Sequence, residues 1–218
     1  MCYYKFFMKK IILLFLVFFK IFLLTYAQSL AQAPKNYLKG KFYSSIEYHF
    51  LISSKKMMDD RFAKTVILML KNDENESWGL VVNKPIGSVP LSLLIDSSVI
   101  AENKKKLYEK NISIFWGGPV RSSEIFILHT MEYENTSTKK YGNLAISRDY
   151  KTLIDIAENK GPKKSLVILG YSGWEEGQLE GEMEREMWML SEVDIKLIFQ
   201  KESKNKWINA YKKSFIKL

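Results

Sequence analysis

The chain contains two histidines, His49 and His129, and neither stands in a spacing that binds zinc. His129 ends the apolar run 125–128, where a hydrogen-bonded histidine at a strand end is the commoner role. To act as a general base, it would need an acidic partner from elsewhere in the fold, and Glu180 is the candidate. A hydrolase using His129 and Glu180 is therefore one alternative function.

One serine lies in a motif that suggests a nucleophile, Gly170-Tyr171-Ser172-Gly173. The nucleophile elbow requires glycine two residues after the serine, and position 174 is tryptophan, so the match fails. Ser172 is instead predicted to be a small residue in a tight turn after a strand. Gly117-Gly118-Pro119 also lacks the spacing of a phosphate-binding loop, and its proline removes an N–H that an anion would need. We therefore expect no catalytic residue, no cofactor and no metal site.

Two stretches carry unbalanced charge. Seven glutamates lie between positions 175 and 192, and six lysines with one acidic residue lie between 201 and 218. Paired carboxylates could perform acid–base chemistry, but a solvated helix face is the more common arrangement. Lysines among aromatic residues could bind nucleic acid or an anionic membrane, whereas a terminal helix packed on the core is again more common. No helix-turn-helix, zinc-finger or RNP-like pattern is present.

The single cysteine is Cys2. The chain downstream of it therefore has no disulfide, no thiol nucleophile and no cysteine metal site. The formal charge of +9 falls to +5 after residue 33, because the first 33 residues contain four lysines and no acid. Such a mild surplus permits an anionic partner without requiring one.

The N-terminal residues have the order of a signal peptide. Two lysines precede an apolar run at 11–19, and small residues follow, including Ala31-Gln32-Ala33. We assign 1–33 to a signal peptide or N-terminal membrane anchor and 34–218 to the folded domain. The expected location is periplasmic or membrane-anchored, with residues 11–24 available for membrane contact. The alternative is a cytoplasmic protein whose true start lies near Tyr37.

The pattern beyond the leader favours an α+β fold, because several strands occur in pairs with helices placed irregularly among them. Strands 65–70 and 78–82 are predicted to form one hairpin, and 112–116 and 125–128 a second pair around the turn 117–120. Further strands are expected at 50–52, 144–146, 165–169 and 195–199. Helices are expected at 149–159, 178–190 and 203–214.

Four motifs together resemble the YqgE/AlgH family of bacterial proteins, over residues 37–211. The most specific is L-G-Y-S-G-W-E-E-G-Q-L-E at 169–180, which Trp188 follows. The others are W-G-L-V-V-N-K-P at 78–85, F-W-G-G-P-V at 115–120 with Leu128-His129, and an N-terminal motif represented by Met57, Asp59 and Phe62. The chain departs from the family at Lys55 and Asp60, where proline is usual.

The resemblance implies a single compact domain whose split sheet curls into a partial barrel with flanking helices. It implies no established reaction, so a non-catalytic binding or regulatory domain is favoured over an enzyme. The expected partner is a protein or a small-molecule ligand. A transcriptional regulator is the alternative if the protein is cytoplasmic, since an exported domain cannot reach nucleic acid in the cell. The candidate binding surface combines Asn83, Gly117, Gly118, His129, Trp174, Gln178 and Glu180.

Overall fold

Strands predominate in the computed structural model, which describes residues 46–73, 75–96, 98 and 102–214. These residues contain ten strands: β1 (His49–Ser53), β2 (Val66–Asn72), β3 (Ser77–Val81), β4 (Pro85–Pro90), β5 (Asn111–Trp116), β6 (Val120–Thr130), β7 (Lys139–Tyr141), β8 (Leu144–Ser147), β9 (Ser165–Trp174) and β10 (Trp188–Glu192). They also contain four α-helices: α1 (Tyr150–Ala157), α2 (Gln178–Glu184), α3 (Ile195–Ile198) and α4 (Ser203–Lys213). Short 3-10 helices occupy Asp60–Phe62, Leu91–Leu93 and Glu102–Glu109.

The strands form one curled, mostly antiparallel sheet in the order β10-β1-β2-β3-β9-β6-β8-β7. The long strand β9 is shared by both halves. Its first half pairs in parallel with β5, which in turn pairs with β4, whereas its last residues pair with β3. The opposite edge of β9 pairs with β6 from Ser165 to Tyr171, with a register shift between Val120 and Ile125. This change of partner along β9 splits the sheet into the expected partial barrel.

Alternation along the strands explains why the sheet curls around α3 and α4. In β2, Val66, Leu68 and Leu70 belong to the cluster that packs with these helices, and the residues between them belong to a second cluster, against α2. In β6 and β9 the outward residues instead join a third cluster with α1. Successive side chains of a strand point to opposite faces, so β2, β6 and β9 each have two buried faces.

Glycines make the split in the sheet possible. The Gly117 N–H donates to the Leu169 carbonyl, and the Gly117 carbonyl accepts from the Val81 N–H at 3.1 Å. A Cβ atom at Gly117 would lie 2.1 Å from the Gly170 carbonyl oxygen, and Gly118 has a φ of +148° in close contact with Tyr171. Side chains are excluded at both positions because two strands cross there at backbone contact.

Several sequence predictions are confirmed. The α+β fold, the hairpin of β2 and β3, and the strands β1, β8 and β9 are all present. The helix α1 begins after Asp149, whose side chain caps the Thr152 N–H, and α4 spans most of 203–214.

Four local predictions are wrong. Residues 195–198 form α3, because Asp194 caps that turn. The helix expected over 178–190 ends at Glu184, and Trp188 begins β10, since the segment can pair with the edge of β1. The strands β5 and β6 do not pair with each other, because β9 lies between them. Ser172 lies within β9, where its hydroxyl donates to the Gly117 carbonyl, and it is buried.

The predicted leader, residues 1–33, lies outside the described residues. Among those described, no helix combines the length and the hydropathy that crossing a membrane requires.

Candidate functional site

An open cleft of about 740 Å³ lies where three separate parts of the chain meet. One wall comes from the 3-10 helix Asp60–Phe62 and the residues after it, another from the turn between β3 and β4, and a third from the start of α4. The described residues that line it are Arg61, Ala63, Lys64, Asn83, Lys84, Pro85, Ile86, Trp116, Ser203, Lys204 and Trp207. The lining thus combines four cations, two indoles and three smaller apolar side chains. It contains no carboxylate among the residues described.

Asn83 holds two walls of the cleft together. Its Oδ1 accepts the Val66 N–H and its Nδ2 donates to the Lys64 carbonyl, both at 2.8 Å. The side chain is buried, and both ends of the amide are occupied by backbone. Its role is therefore to join the end of β3 to the start of β2 and to set the position of Lys64.

The 3-10 helix is held by one ion pair and one aromatic stack. Asp59 caps the helix and pairs with the Arg61 guanidinium through both oxygens, and these hydrogen bonds hold the pKa of Asp59 below its ordinary value. The Phe62 ring packs between two indoles, with centroids 5.4 Å from Trp116 and 5.7 Å from Trp188. The Phe62 ring thus links the cleft to the second apolar cluster behind it.

The cations of the cleft differ in their surroundings. The Lys84 ammonium lies 5.7 Å from the centroid of the Trp116 ring and donates to the Arg61 carbonyl. Partial burial lowers the pKa of Lys84. Lys64 and Lys204 are exposed, and neither ammonium group makes an ion pair with a described residue. Among the described residues, the positive charge of Lys64 and Lys204 is therefore not neutralised by an ion pair.

The third wall is fixed by a lysine with no exposed surface. The Lys206 ammonium donates to the carbonyls of Val82 at 2.9 Å and Ile198 at 2.6 Å, and lies 5.3 Å from the centroid of the Phe115 ring. Burial lowers the pKa of Lys206 to about 8. The indole of the next residue, Trp207, donates to the Ser53 carbonyl at 2.9 Å. These bonds attach α4 to the sheet beside Asn83.

Two of the predicted surface residues belong to a structural clamp behind the cleft. The Glu182 Oε2 accepts the indole N–H of Trp174 at 2.9 Å and that of Trp188 at 2.6 Å, and Oε1 accepts from the Gln178 amide. The two indoles pack edge to face, with centroids 5.9 Å apart. A charged acceptor shared by two indoles binds α2 to the sheet. Glu182 therefore has a structural role, whereas its acidic stretch had been expected to form a solvated face.

His129 is fully buried, and both nitrogens of its ring are hydrogen-bonded. Nδ1 donates to the Thr130 carbonyl and Nε2 accepts from the Ser147 hydroxyl, both at 2.9 Å. Burial lowers the pKa of His129, so the neutral ring matches these contacts. The serine–histidine pair has a carbonyl where a catalytic triad has a carboxylate, and neither side chain reaches the surface.

The structure does not bring His129 and Glu180 together. His129 pairs with Ser165 at the start of β9, and Glu180 lies in α2 beyond Trp174 at its end. About 30 Å of strand separates the two ends at the usual rise per residue. Glu180 is buried, with no hydrogen bond to a described residue. No group of three or more potential metal ligands occurs in the described ranges.

Of the seven residues proposed for the surface, only Asn83 lines the cleft. Gly117 and Gly118 shape the split in the sheet next to Trp116. The clamp contains Trp174 and Gln178, and His129 lies in the core. Arg61, Lys64, Lys204 and the two cleft indoles are not among the residues that the sequence predicted for the surface. The mixture of lysines and aromatics after position 201 was the available signal for Lys204 and Trp207.

Known proteins match the chain over most of its length. The AlgH-like family matches residues 50–218. The UPF0301 protein AlgH of Pseudomonas aeruginosa is 36% identical over 154 residues, which cover 71% of this chain and 80% of the relative. A UPF0301 protein of Methylococcus capsulatus is 34% identical over 165 residues, covering 75% and 88%.

Solved structures show the same fold. The solution structure of the AlgH protein from P. aeruginosa aligns with a TM-score of 0.65 and 33% identity, covering 77% of this chain and 88% of that one. A crystal structure of a protein from Corynebacterium diphtheriae aligns with a TM-score of 0.52 at 17% identity, covering 69% and 78%. The second likeness concerns the fold alone.

Proposed function

The chain belongs to the AlgH-like family of bacterial proteins, and on that premise we propose that it is a non-catalytic binding domain whose ligand site is the basic cleft. The observation that carries the proposal is the positive charge of Lys64 and Lys204, which pair with no described carboxylate and line the cleft together with two indoles. A regulatory role would operate through the same site, with ligand binding as its first step.

The charge of the cleft suits an anionic ligand. Asp59 compensates Arg61, but the nearest partner of the Lys84 ammonium is a neutral carbonyl. An anion placed between Lys64, Lys84 and Lys204 would meet three ammonium groups and no described carboxylate of the lining. Such a concave site with convergent charge over apolar walls is typical of small-molecule binding.

The structure also supplies the rigidity that binding needs. Asn83 and Lys206 attach two of the walls to the sheet through buried hydrogen bonds, and the stack of Phe62 on Trp116 supports the third. A preorganised cleft loses little entropy when a ligand is bound. In contrast, the residues proposed for hydrolysis are buried or far apart, which favours binding over that alternative.

A ligand screen by NMR tests the proposal. The purified full-length chain is exposed separately to inorganic phosphate, citrate, glutamate, AMP and octanoate. We expect at least one of these anions to bind, and the double charge reversal Lys64→Glu/Lys204→Glu to weaken it about tenfold or more. Lys163→Glu/Lys164→Glu is the matched control, since it changes the charge equally at two exposed lysines that do not line the cleft. Binding by none of the anions, or equal loss in both variants, would refute the proposal.

We further propose that the domain works outside the cytoplasm. The support is the order of charged, apolar and small residues in 1–33. Fractionation of the native host with N-terminal sequencing tests it. A mature protein beginning near Gln32 or Pro34 in the periplasmic or membrane fraction agrees with the proposal. An intact Met1 or Met8 in the cytosol contradicts it and restores the alternative of a cytoplasmic regulator.

A further inference from the structure

We infer that the ligand of the cleft is an anionic amphiphile, with a carboxylate or phosphate head and a hydrocarbon body. This inference rests on the proposed function and narrows the chemical class of its ligand. It follows from an imbalance between the side-chain hydrogen-bond donors and acceptors that line the cleft.

Few side-chain acceptors are left free in the lining. The Oδ1 of Asn83 already accepts a backbone N–H, and the described lining contains no carboxylate. The hydroxyl of Ser203 is the one remaining side-chain acceptor in the described lining. A sugar, a nucleobase or an ammonium group would bring several N–H or O–H donors into the cleft, and most would lose their water without gaining a partner. The ligand that fits is therefore rich in acceptors and poor in donors.

The groups that do remain free are cationic. The ammonium groups of Lys64 and Lys204 make no ion pair with a described residue, and that of Lys84 rests over the Trp116 ring. Ammonium groups are point charges without the fixed fork of a guanidinium, so they bind a carboxylate head and a phosphate head alike. The head of the ligand is thus defined by its charge and not by a particular geometry.

The rest of the lining suits a hydrocarbon body. Ala63, Pro85 and Ile86 contribute aliphatic surface to the lining, to which the Trp116 and Trp207 rings also belong. Ile86 is 54% exposed, which leaves its side chain available for contact with a ligand. A volume of about 740 Å³ lies within the range of small-molecule sites, so a chain of several carbons can enter together with its head.

The experiment measures binding to the full-length chain by tryptophan fluorescence, with every amphiphile kept below its micelle concentration. The probes are decyl phosphate, decanoate, decanol and ethyl phosphate. We expect decyl phosphate or decanoate to bind at least tenfold more tightly than both decanol and ethyl phosphate. Within the series hexyl, octyl and decyl phosphate, each added CH₂ should tighten binding by about three- to fourfold until the cleft is filled.

Two pairs of variants locate the head and the body. Lys64→Glu/Lys204→Glu should weaken decyl phosphate tenfold or more, whereas Lys163→Glu/Lys164→Glu should leave it within twofold. Ile86→Asn should weaken decyl phosphate about three- to fivefold without affecting ethyl phosphate. Leu93→Asn is its control, because Leu93 is 73% exposed and does not line the cleft.

The outcomes separate this inference from the proposed function. If ethyl phosphate, citrate or AMP binds as tightly as decyl phosphate and depends on Lys64 and Lys204, the cleft is an anion site and the amphiphile inference is wrong. If decanol binds as tightly as decyl phosphate, the inference that the ligand has an anionic head is wrong. If decyl phosphate binds equally well to the Lys64→Glu/Lys204→Glu variant, both the inference and the location of the site are overturned.

Discussion

The buried ammonium of Lys206 should make the stability of the domain depend on pH in a way that one substitution removes. Burial lowers the pKa of Lys206 from 10.5 to about 8, and no charged group lies among its contacts with Val82, Ile198 and Phe115. Between these two pH values the unfolded chain holds a proton that the folded chain has released. The free energy of unfolding therefore rises with pH across this window, and the contribution is smallest below pH 8.

The magnitude follows from the two pKa values. A difference of about 2.5 between the folded and unfolded states corresponds to about 3 kcal/mol. We expect the free energy of unfolding of the original chain to rise by this amount, relative to Lys206→Met, between pH 7.5 and pH 10.5. The constant cost of the two lost hydrogen bonds does not alter this slope, because it is the same at every pH.

Urea denaturation at intervals of half a pH unit measures the difference. Subtracting the free energy of unfolding of the variant from that of the original chain removes the contribution of the titrating groups that both proteins share. Lys204→Met provides the control, because Lys204 is exposed on the same helix. The difference in the free energy of unfolding between the original chain and this variant should stay constant with pH. A constant difference for Lys206→Met as well would refute the reasoning, since the ammonium could then not be buried as described.

Three further substitutions test the packing of the domain. Glu182→Gln should lower stability by about 2 kcal/mol and change the near-ultraviolet circular dichroism, because two indoles lose a charged acceptor; the exposed Glu184→Gln should do neither. Gly117→Ala should cost 3 kcal/mol or more by calorimetry (about the cost of overpacking a rigid backbone), whereas Gly181→Ala in α2 should add about 0.5–1 kcal/mol. Ser147→Ala should cost about 1–2 kcal/mol in urea, because the buried His129 ring loses a donor. Equal effects of a substitution and its control, or no effect of Ser147→Ala, would contradict these assignments.

The sequence was sufficient for features that depend on local pattern. Asp149 ahead of an apolar face marked α1, and a run of β-branched and large apolar residues followed by a polar turn marked the hairpin of β2 and β3. The glycines at 117 and 118 were recognised as turn-shaping, but their reason lies in strands brought together from elsewhere in the chain. The true partner of Gly117 is the backbone near Gly170, more than fifty residues away, and spacing alone cannot show such a contact.

The cleft could not be derived for the same reason. Its walls come from positions near 61–64, 83–86, 116 and 203–207, which meet only after the sheet has curled. Lys206 looks in sequence like any lysine of a basic helix, yet it is the one that is buried. Similarly, Leu190 fits a helical stripe with Met183 and Met187, but pairing with the edge of β1 places it in a strand. Tertiary pairing thus overrides the local pattern.

The most direct test of the account is a map of where an anion binds. The ¹⁵N-labelled full-length chain is titrated with decyl phosphate and with inorganic phosphate, and the backbone amides and indole N–H groups are followed by NMR. We predict that the largest shifts occur in residues 61–64, 83–86 and 203–207 and in the Trp116 indole, and that Lys64→Glu/Lys204→Glu abolishes them. Shifts confined to other parts of the chain, or no shifts with either probe, would contradict the claim that this cleft is the ligand site.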